Sequence, residues 1–563
     1  MRSIKINFLL VLGWLVYSCS PTPTDQKVGV LGDSAMVVSA HPLATKVGLS
    51  ILKQGGNAYD AAIATQFALA VVYPRAGNIG GGGFAVIREN DGSINSLDYR
   101  ERAPLAASRT MYQNDSGQVV SDKSTLGHLA AGVPGSVAGM WQLHERYGSL
   151  PWAQLLQPAI VLAHEGHRIT QDEASALNEK QDDFKAANDW KPWVINDEGW
   201  NGGDYVTQVQ LAATLSFVRD SGRDGFYKGI VAGQIINEME RGGGLITRED
   251  LESYEATWRT PLVGTYKGHK VITMPPPSSG GVAVLQLLKG AEFVQLANYD
   301  HNSTDAVHLM AEIEKRVFAD RAKHLGDPDF YEVPIETLLS EEYNSKRYAG
   351  INTTSITPAK EIQGGEVPYE SDQTTHFSIV DKFGNAVSIT TTLNLNYGCK
   401  VWVKGAGFVL NNEMDDFSAK PGVPNFFGLI GAEANSIAPG KRMLSSMTPT
   451  ILEKDGQLKA VIGSPGGATI ITSVFQTIVN LVDYDMSMQA AVESKKVHHQ
   501  WLPDQIKMEE SAISDQTQSE LEEQGYQFQV VDKIGRTDCI LVRPDGQLEG
   551  GADPRGDDSA EGY

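Results

Sequence analysis

Cysteine is scarce in this chain, three residues in 563, and the scarcity excludes a disulfide-stapled fold. Beyond Cys19 only Cys399 and Cys539 remain, enough for one bridge whose formation the sequence leaves open. No C-x-x-C pair or His/Cys cluster has metal-ligand spacing. His498 and His499 are adjacent rather than four apart, so both rings cannot readily face one ion; they read as structural, and no metal or cofactor is expected. Positive charge is also short: 47 Lys and Arg stand against 69 Asp and Glu, a net charge of −22. Nucleic acid is thereby excluded as a partner, because phosphate binding calls for a basic surface. The acidity forms no long run and reads as a solubility feature. The glycine run at 76–84, A-G-N-I-G-G-G-G-F, fits neither G-x-G-x-x-G nor G-x-x-x-x-G-K-[ST], which rejects nucleotide binding; its glycines read as close backbone packing before a strand at 84–88. Neither Gly135-Ser136 nor Gly463-Ser464 lies in a G-x-S-x-G frame, so no serine triad is legible. Internal repeats and low-complexity linkers are absent too.

The N-terminus has no apolar run long enough to span a bilayer. Arg2 and Lys5 precede a short apolar stretch, 8–16, and then V-Y-S-C, the layout of a secretory signal. The small residue before Cys19 resembles a bacterial lipoprotein processing site, which would make Cys19 a lipid-bearing N-terminus; plain signal cleavage nearby is the alternative. Residues 1–19 are thus expected to be a signal and 20–36 a tether, with the protein exported to the periplasm or anchored to a bacterial membrane.

The rest of the chain reads as one large, two-part α/β unit. Apolar residues at helical spacing predict a helix over 42–54 ended by Gly55-Gly56, and Asn57 with Asp60 forms a capping box for a second. That second helix is apolar nearly all round, which predicts burial. Helical spacing recurs at 208–218, 230–241 and 304–323, and Thr247 with Asp250 is a further cap. A prolyl connector at 274–281 leads into another helix. Residues 353–372, polar and rich in Thr, Gly, Glu and Pro, read as a mobile surface segment.

Directly after it comes D-Q-T-T-H-F-S-I-V-D-K-F-G-N-A-V-S-I-T-T-T-L-N, residues 372–394. Two β-branched runs flank a turn signal, which predicts a hairpin with Lys382, Phe383 and Gly384 as its loop and Asp381 opposite Asn385. Counting back places Thr374 across from Thr392, with Asn394 on the same face. A merely Thr-rich strand is the plainer alternative.

Together with N-N-E-M-D-D-F-S, L-S-S-M-T-P-T, G-S-P-G-G and N-I-G-G-G-G-F, this stretch resembles the γ-glutamyltransferase (γ-glutamyltranspeptidase) family of N-terminal-nucleophile hydrolases. The similarity runs in order from about residue 37 to the C-terminus. It implies an αββα sandwich, two stacked antiparallel sheets between helical layers. It also implies autoproteolysis between Gln373 and Thr374, giving a large subunit (37–373) and a small one (374–563) within one folded unit. Thr374 would be the nucleophile and its freed α-amine the base, since an α-amine titrates near ~7.7–8.0 and a lysine near ~10.4. Thr375 competes as the new N-terminus, and Thr392 matches the residue that tunes the nucleophile. Arg100 matches the clamp for a substrate carboxylate, with Arg102 as a weaker competitor; a guanidinium holds a carboxylate bidentately where lysine cannot. Ser445 and Ser446 match further donors, Glu413, Asp416 and Asn394 match acceptors for a substrate ammonium, and Gly466 and Gly467 match an oxyanion hole. The implied substrates are glutathione and other γ-glutamyl amides, with water, an amino acid or a dipeptide as acceptor.

Two stretches depart from the family pattern. Phe427 stands in the lid region, 421–440, where a tyrosine is usual, a loss of one hydrogen bond of ~1 kcal/mol. Cys399, Lys400 and Trp402 stand where small residues are usual, which puts acceptor choice in doubt. A related acylase acting on a glutaryl or cephalosporin-type acyl group, or a lipid-anchored binding protein with an inactive site, are the competing readings.

Overall fold

The hairpin forms in the expected register. In the computed structural model, which describes residues 26–120, 122–364, 374–420 and 433–563, strand Thr374–Val380 pairs antiparallel with Ala386–Thr392, and Thr374 lies opposite Thr392. Gly384 takes the left-handed turn position at φ +88°, and Asp381 N–H donates to Asn385 O at 3.1 Å. The expected signal and Cys19, the cleavage residue Gln373 and the lid residue Phe427 lie outside the described residues.

Two seven-stranded sheets, antiparallel throughout, form the centre. In the first, the order is Ser559–Gly562, Met36–Ser39, Thr374–Val380, Ala386–Thr392, Gly82–Arg88, Ile94–Asp98 and Thr257–Arg259. The second runs Val30–Gly32, Leu548–Gly551, Cys539–Val542, Gln457–Ile462, Thr450–Lys454, His269–Thr273 and Leu262–Tyr266. Both sheets mix strands from before and after Thr374. Apolar residues of the first sheet, Phe377, Ile379, Val387 and Ile389, pack with helices Pro42–Lys53, Ala58–Val72 and Trp152–Glu165 in one core. A second core joins Val38, Phe84 and Val86 to the second sheet and to helices Gly280–Phe293, Thr304–His324 and Thr469–Val482. The result is helix, sheet, sheet, helix, the expected sandwich.

Local chemistry accounts for the main elements. Asn57 and Asp60 cap Ala58–Val72 reciprocally, and every residue of that helix is buried, as its missing polar face requires. Thr247 and Asp250 form the same device for Arg248–Ser253. His498 and His499 are buried with separate partners, Thr472 and Gln500 for the first and Trp501 N–H for the second. Cys399 and Cys539 are both buried free thiols in different cores.

Candidate active site

The fold brings strand ends of both sheets to one place. Thr374 opens its strand and Thr392 closes the neighbouring one, while Arg100 follows Ile94–Asp98 by two residues. From the second sheet, Ser445 and Ser446 precede Thr450–Lys454, and Gly466-Gly467 lie between Gln457–Ile462 and helix Thr469–Val482. A narrow cleft of ≈ 10 Å³ is lined by Arg100, Thr374, Thr392, Asn394, Glu413, Asp416, Ser445, Ser446, Met447, Gly467 and Ile470. Nine of the ten residues that the sequence assigns to catalysis and substrate binding are therefore neighbours.

Thr374 is 8 % exposed, and its hydroxyl donates to Thr392 Oγ1 at 3.4 Å. Thr392 Oγ1 also accepts from Asn394 N–H at 2.8 Å. Asn394 does not continue the strand: the strand ends at Thr392 and Asn394 takes φ +71°, a left-handed conformation that asparagine tolerates. That turn points its side-chain amide at Asn412 O, at 3.0 Å.

Arg100 is 1 % exposed and folds onto Glu413 and Asp416, donating to both carboxylates, and to Leu444 O at 3.1 Å. Burial alone would disfavour its charge, but Glu413 and Asp416 hold the guanidinium firmly protonated. Arg102 stays outside it, its guanidinium 5.4 Å over the Tyr254 ring.

The oxyanion-hole candidates divide between two clefts. Gly467 lines the narrow one, whereas Gly466 lines an adjacent one with Tyr73, Arg75, Lys533 and Arg536. Both glycines have positive φ, +130° and +57°, a turn a side chain would strain.

Four supporting residues escaped the sequence reading. Arg321 donates to Ser446 Oγ at 3.0 Å and to Ser279 Oγ at 2.8 Å, and Ser279 in turn donates twice to Ser445 O at 2.6 Å. Asn78 donates to Thr392 O at 2.8 Å and accepts from Gly81 N–H at 2.9 Å. Glu101 is fully buried 4.0 Å from Arg100, and desolvation, only partly offset by that arginine, pushes its carboxyl up to about 8. His376 lies two residues from Thr374 but cannot serve as base, since burial pushes it down to about 3 and its ring nitrogens face Thr390 and Ser378. The residues that break the family pattern do not line the cleft. Trp402 stacks edge-on against Trp193 at 5.7 Å, Cys399 is fully buried, and Lys400 Nζ donates to Gly398 O at 2.7 Å, its ammonium pulled down to about 8 chiefly by burial.

Residues 44–563 match the family model for gamma-glutamyltranspeptidase. The chain belongs to the γ-glutamyltranspeptidase family. Among curated proteins, the "Glutathione hydrolase proenzyme" of Escherichia coli (strain K12) is 45 % identical to this family member, over 100 % of the chain and 99 % of that protein. Two solved structures also resemble it. The γ-glutamyltranspeptidase of Helicobacter pylori aligns with a TM-score of 0.56 and 40 % identity, over 61 % of this chain and 97 % of the solved one. The cephalosporin acylase of Bacillus halodurans aligns with a TM-score of 0.81 and 27 % identity, over 98 % and 99 %. As a family member with this sheet stacking, the chain has the N-terminal-nucleophile hydrolase fold.

Proposed function

We propose that this protein cuts itself between Gln373 and Thr374 and then acts as a γ-glutamyl hydrolase and transpeptidase on glutathione and other γ-glutamyl amides. The observation that carries the reading is the juxtaposition of Thr374, paired with Thr392, and a buried Arg100–Glu413–Asp416 triad at one cleft. A glutamyl head is a zwitterion. Its carboxylate takes the place of the acidic partners on Arg100, with Ser445 and Ser446 as further donors, and its ammonium takes Glu413, Asp416 and Asn394.

Thr374 Oγ loses its proton to its own α-amine and attacks the γ-carbonyl carbon. The oxygen that becomes negative is met by the backbone N–H groups at Gly466-Gly467. Collapse breaks the C–N bond, the departing amine takes the proton, and a γ-glutamyl ester remains on Thr374. Water, an amino acid or a dipeptide then accepts the acyl group by the reverse sequence. The N-terminal segment supports export, with Cys19 as the lipidated anchor; fractionating a Cys19→Ala variant against wild type tests the anchor by loss of membrane association.

The likeness to a cephalosporin acylase makes a glutaryl-type acyl group the competing reading. Such a group has no ammonium, so Glu413 and Asp416 would be left buried against it. Assay of the purified protein with matched γ-glutamyl and glutaryl anilides separates the two. Release of aniline from the γ-glutamyl compound alone is expected; preference for the glutaryl compound would overturn the assignment.

A further inference from the structure

The prolyl connector at 274–281 does more than lead into helix Gly280–Phe293, because it is bonded along residues 445–447. Ser445 N–H donates to Pro277 O at 3.0 Å, Ser279 N–H and Oγ both donate to Ser445 O at 2.6 Å, and Ser278 Oγ donates to Met447 O at 2.6 Å. Thr448 Oγ1 donates to Ser446 O at 2.7 Å. The backbone that carries both serines is therefore fixed. What remains to be set is the direction of each hydroxyl proton.

Arg321, buried on helix Thr304–His324, sets one of them. Its Nη2 donates to Ser446 Oγ at 3.0 Å, while its Nε, on the same edge of the guanidinium, donates to Ser279 Oγ at 2.8 Å. An arginine can only donate, so the Ser446 oxygen receives that bond and its own proton must go elsewhere. The Ser445 oxygen is engaged in the same sense, accepting from Met447 N–H at 3.2 Å. Among the described residues neither hydroxyl proton has an acceptor, and both serines are buried in the wall of the narrow cleft. Two buried donors at one cleft, each with its proton unspent, suit an anion arriving there.

We propose that Arg321 is a positioning residue for carboxylate recognition: it commits the Ser446 hydroxyl to donate toward the substrate and, through Ser279, steadies the carbonyl of Ser445. The inference rests on the function proposed above and adds the residue that acts from behind the serine donors. A carboxylate oxygen bonded to Ser446 at an ordinary ~2.7 Å stands within ~6 Å of Nη2, so the guanidinium also adds an attractive charge without touching the substrate. Lysine could supply the charge, but not two fixed bonds from one planar edge to two hydroxyls. Without those bonds the Ser446 hydroxyl rotates, and its proton is no longer committed to the ligand.

The test is steady-state hydrolysis of a γ-glutamyl anilide by self-cleaved wild type, Arg321→Met, Ser446→Ala, the double variant and Ser279→Ala. Arg321→Met is expected to raise KM about tenfold, the size of one charge-assisted contact, with kcat within about twofold of wild type. Ser446→Ala should raise KM by a similar factor. Because Arg321 acts through Ser446, the double variant should fall well short of the roughly 100-fold that independent contacts would give. An unchanged KM in Arg321→Met, a loss confined to kcat, or multiplicative effects in the double variant overturns the assignment. If Arg321→Met yields no two-chain protein, Ser279→Ala decides, since it keeps the guanidinium and releases one end of its fork: a rise in KM of about threefold or more supports the role, and an unchanged KM overturns it. Wild type that fails to release aniline from the anilide overturns the proposed function instead.

Discussion

Arg100 carries two jobs through one guanidinium. It neutralises Glu413 and Asp416 inside the protein and is the proposed anchor for a substrate carboxylate. Arg100→Lys keeps a positive charge but loses the planar fork, and should lower kcat/KM for a γ-glutamyl donor about 100-fold, ~3 kcal/mol, mostly in KM. Arg100→Ala also leaves two buried carboxylates without their cation, so a further fall in stability of ~3–5 kcal/mol is expected in denaturant unfolding. Glu101 makes a separate prediction. Its carboxyl keeps a proton in the folded chain up to about pH 8, whereas an unfolded glutamate releases it near 4.5. The folded state therefore binds the extra proton between those values, and its contribution to stability is full at acid pH and lost as pH rises through that window. Glu101→Gln should flatten this part of a plot of Tm against pH; an unchanged slope would remove Glu101 as its source.

At the scale of elements, the hairpin and the glycine-rich strand entry set the site. A Cβ on Gly81 would sit 2.1 Å from Thr392 O, so only glycine lets this segment lie against the residue that pairs with Thr374. Gly81→Ala should cost ~1–3 kcal/mol in stability through overpacking and lower kcat more than a surface substitution of equal cost. Retention of full kcat would mean that the strand entry does not position Thr392. The same elements explain what was legible in the sequence. A short turn fixes hairpin register and side chains alternate with period two, so the facing of Thr374 and Thr392 follows from counting. Caps at Asn57 and Thr247 are equally local. Arg321 bracing Ser446 across 125 residues and Asn78 bonding Thr392 across 314 are not, because nothing in a single sequence marks a long-range hydrogen bond. Asn394 shows the limit of the alternation rule, which fails where a strand ends in a left-handed turn.

Across the whole molecule, the proposed cut falls between segments that share both sheets. Thr374–Val380 is flanked by Met36–Ser39 on one side, and His269–Thr273 pairs with Thr450–Lys454 in the other sheet. Separating the fragments would expose sheet edges and two cores at once. The two chains should therefore elute together in gel filtration and part only in denaturant; independent elution would contradict the shared sheets. Everything catalytic depends on the cut itself, because it alone gives Thr374 an amine of its own. The most direct test is N-terminal sequencing of the small fragment from active wild-type protein, beside a denaturing gel of Thr374→Ala. The expected outcome is a fragment beginning at Thr374 in wild type and a single uncut, inactive chain in the variant. An uncut wild-type chain that still releases aniline from a γ-glutamyl anilide, or a fragment beginning at Thr375, would contradict it.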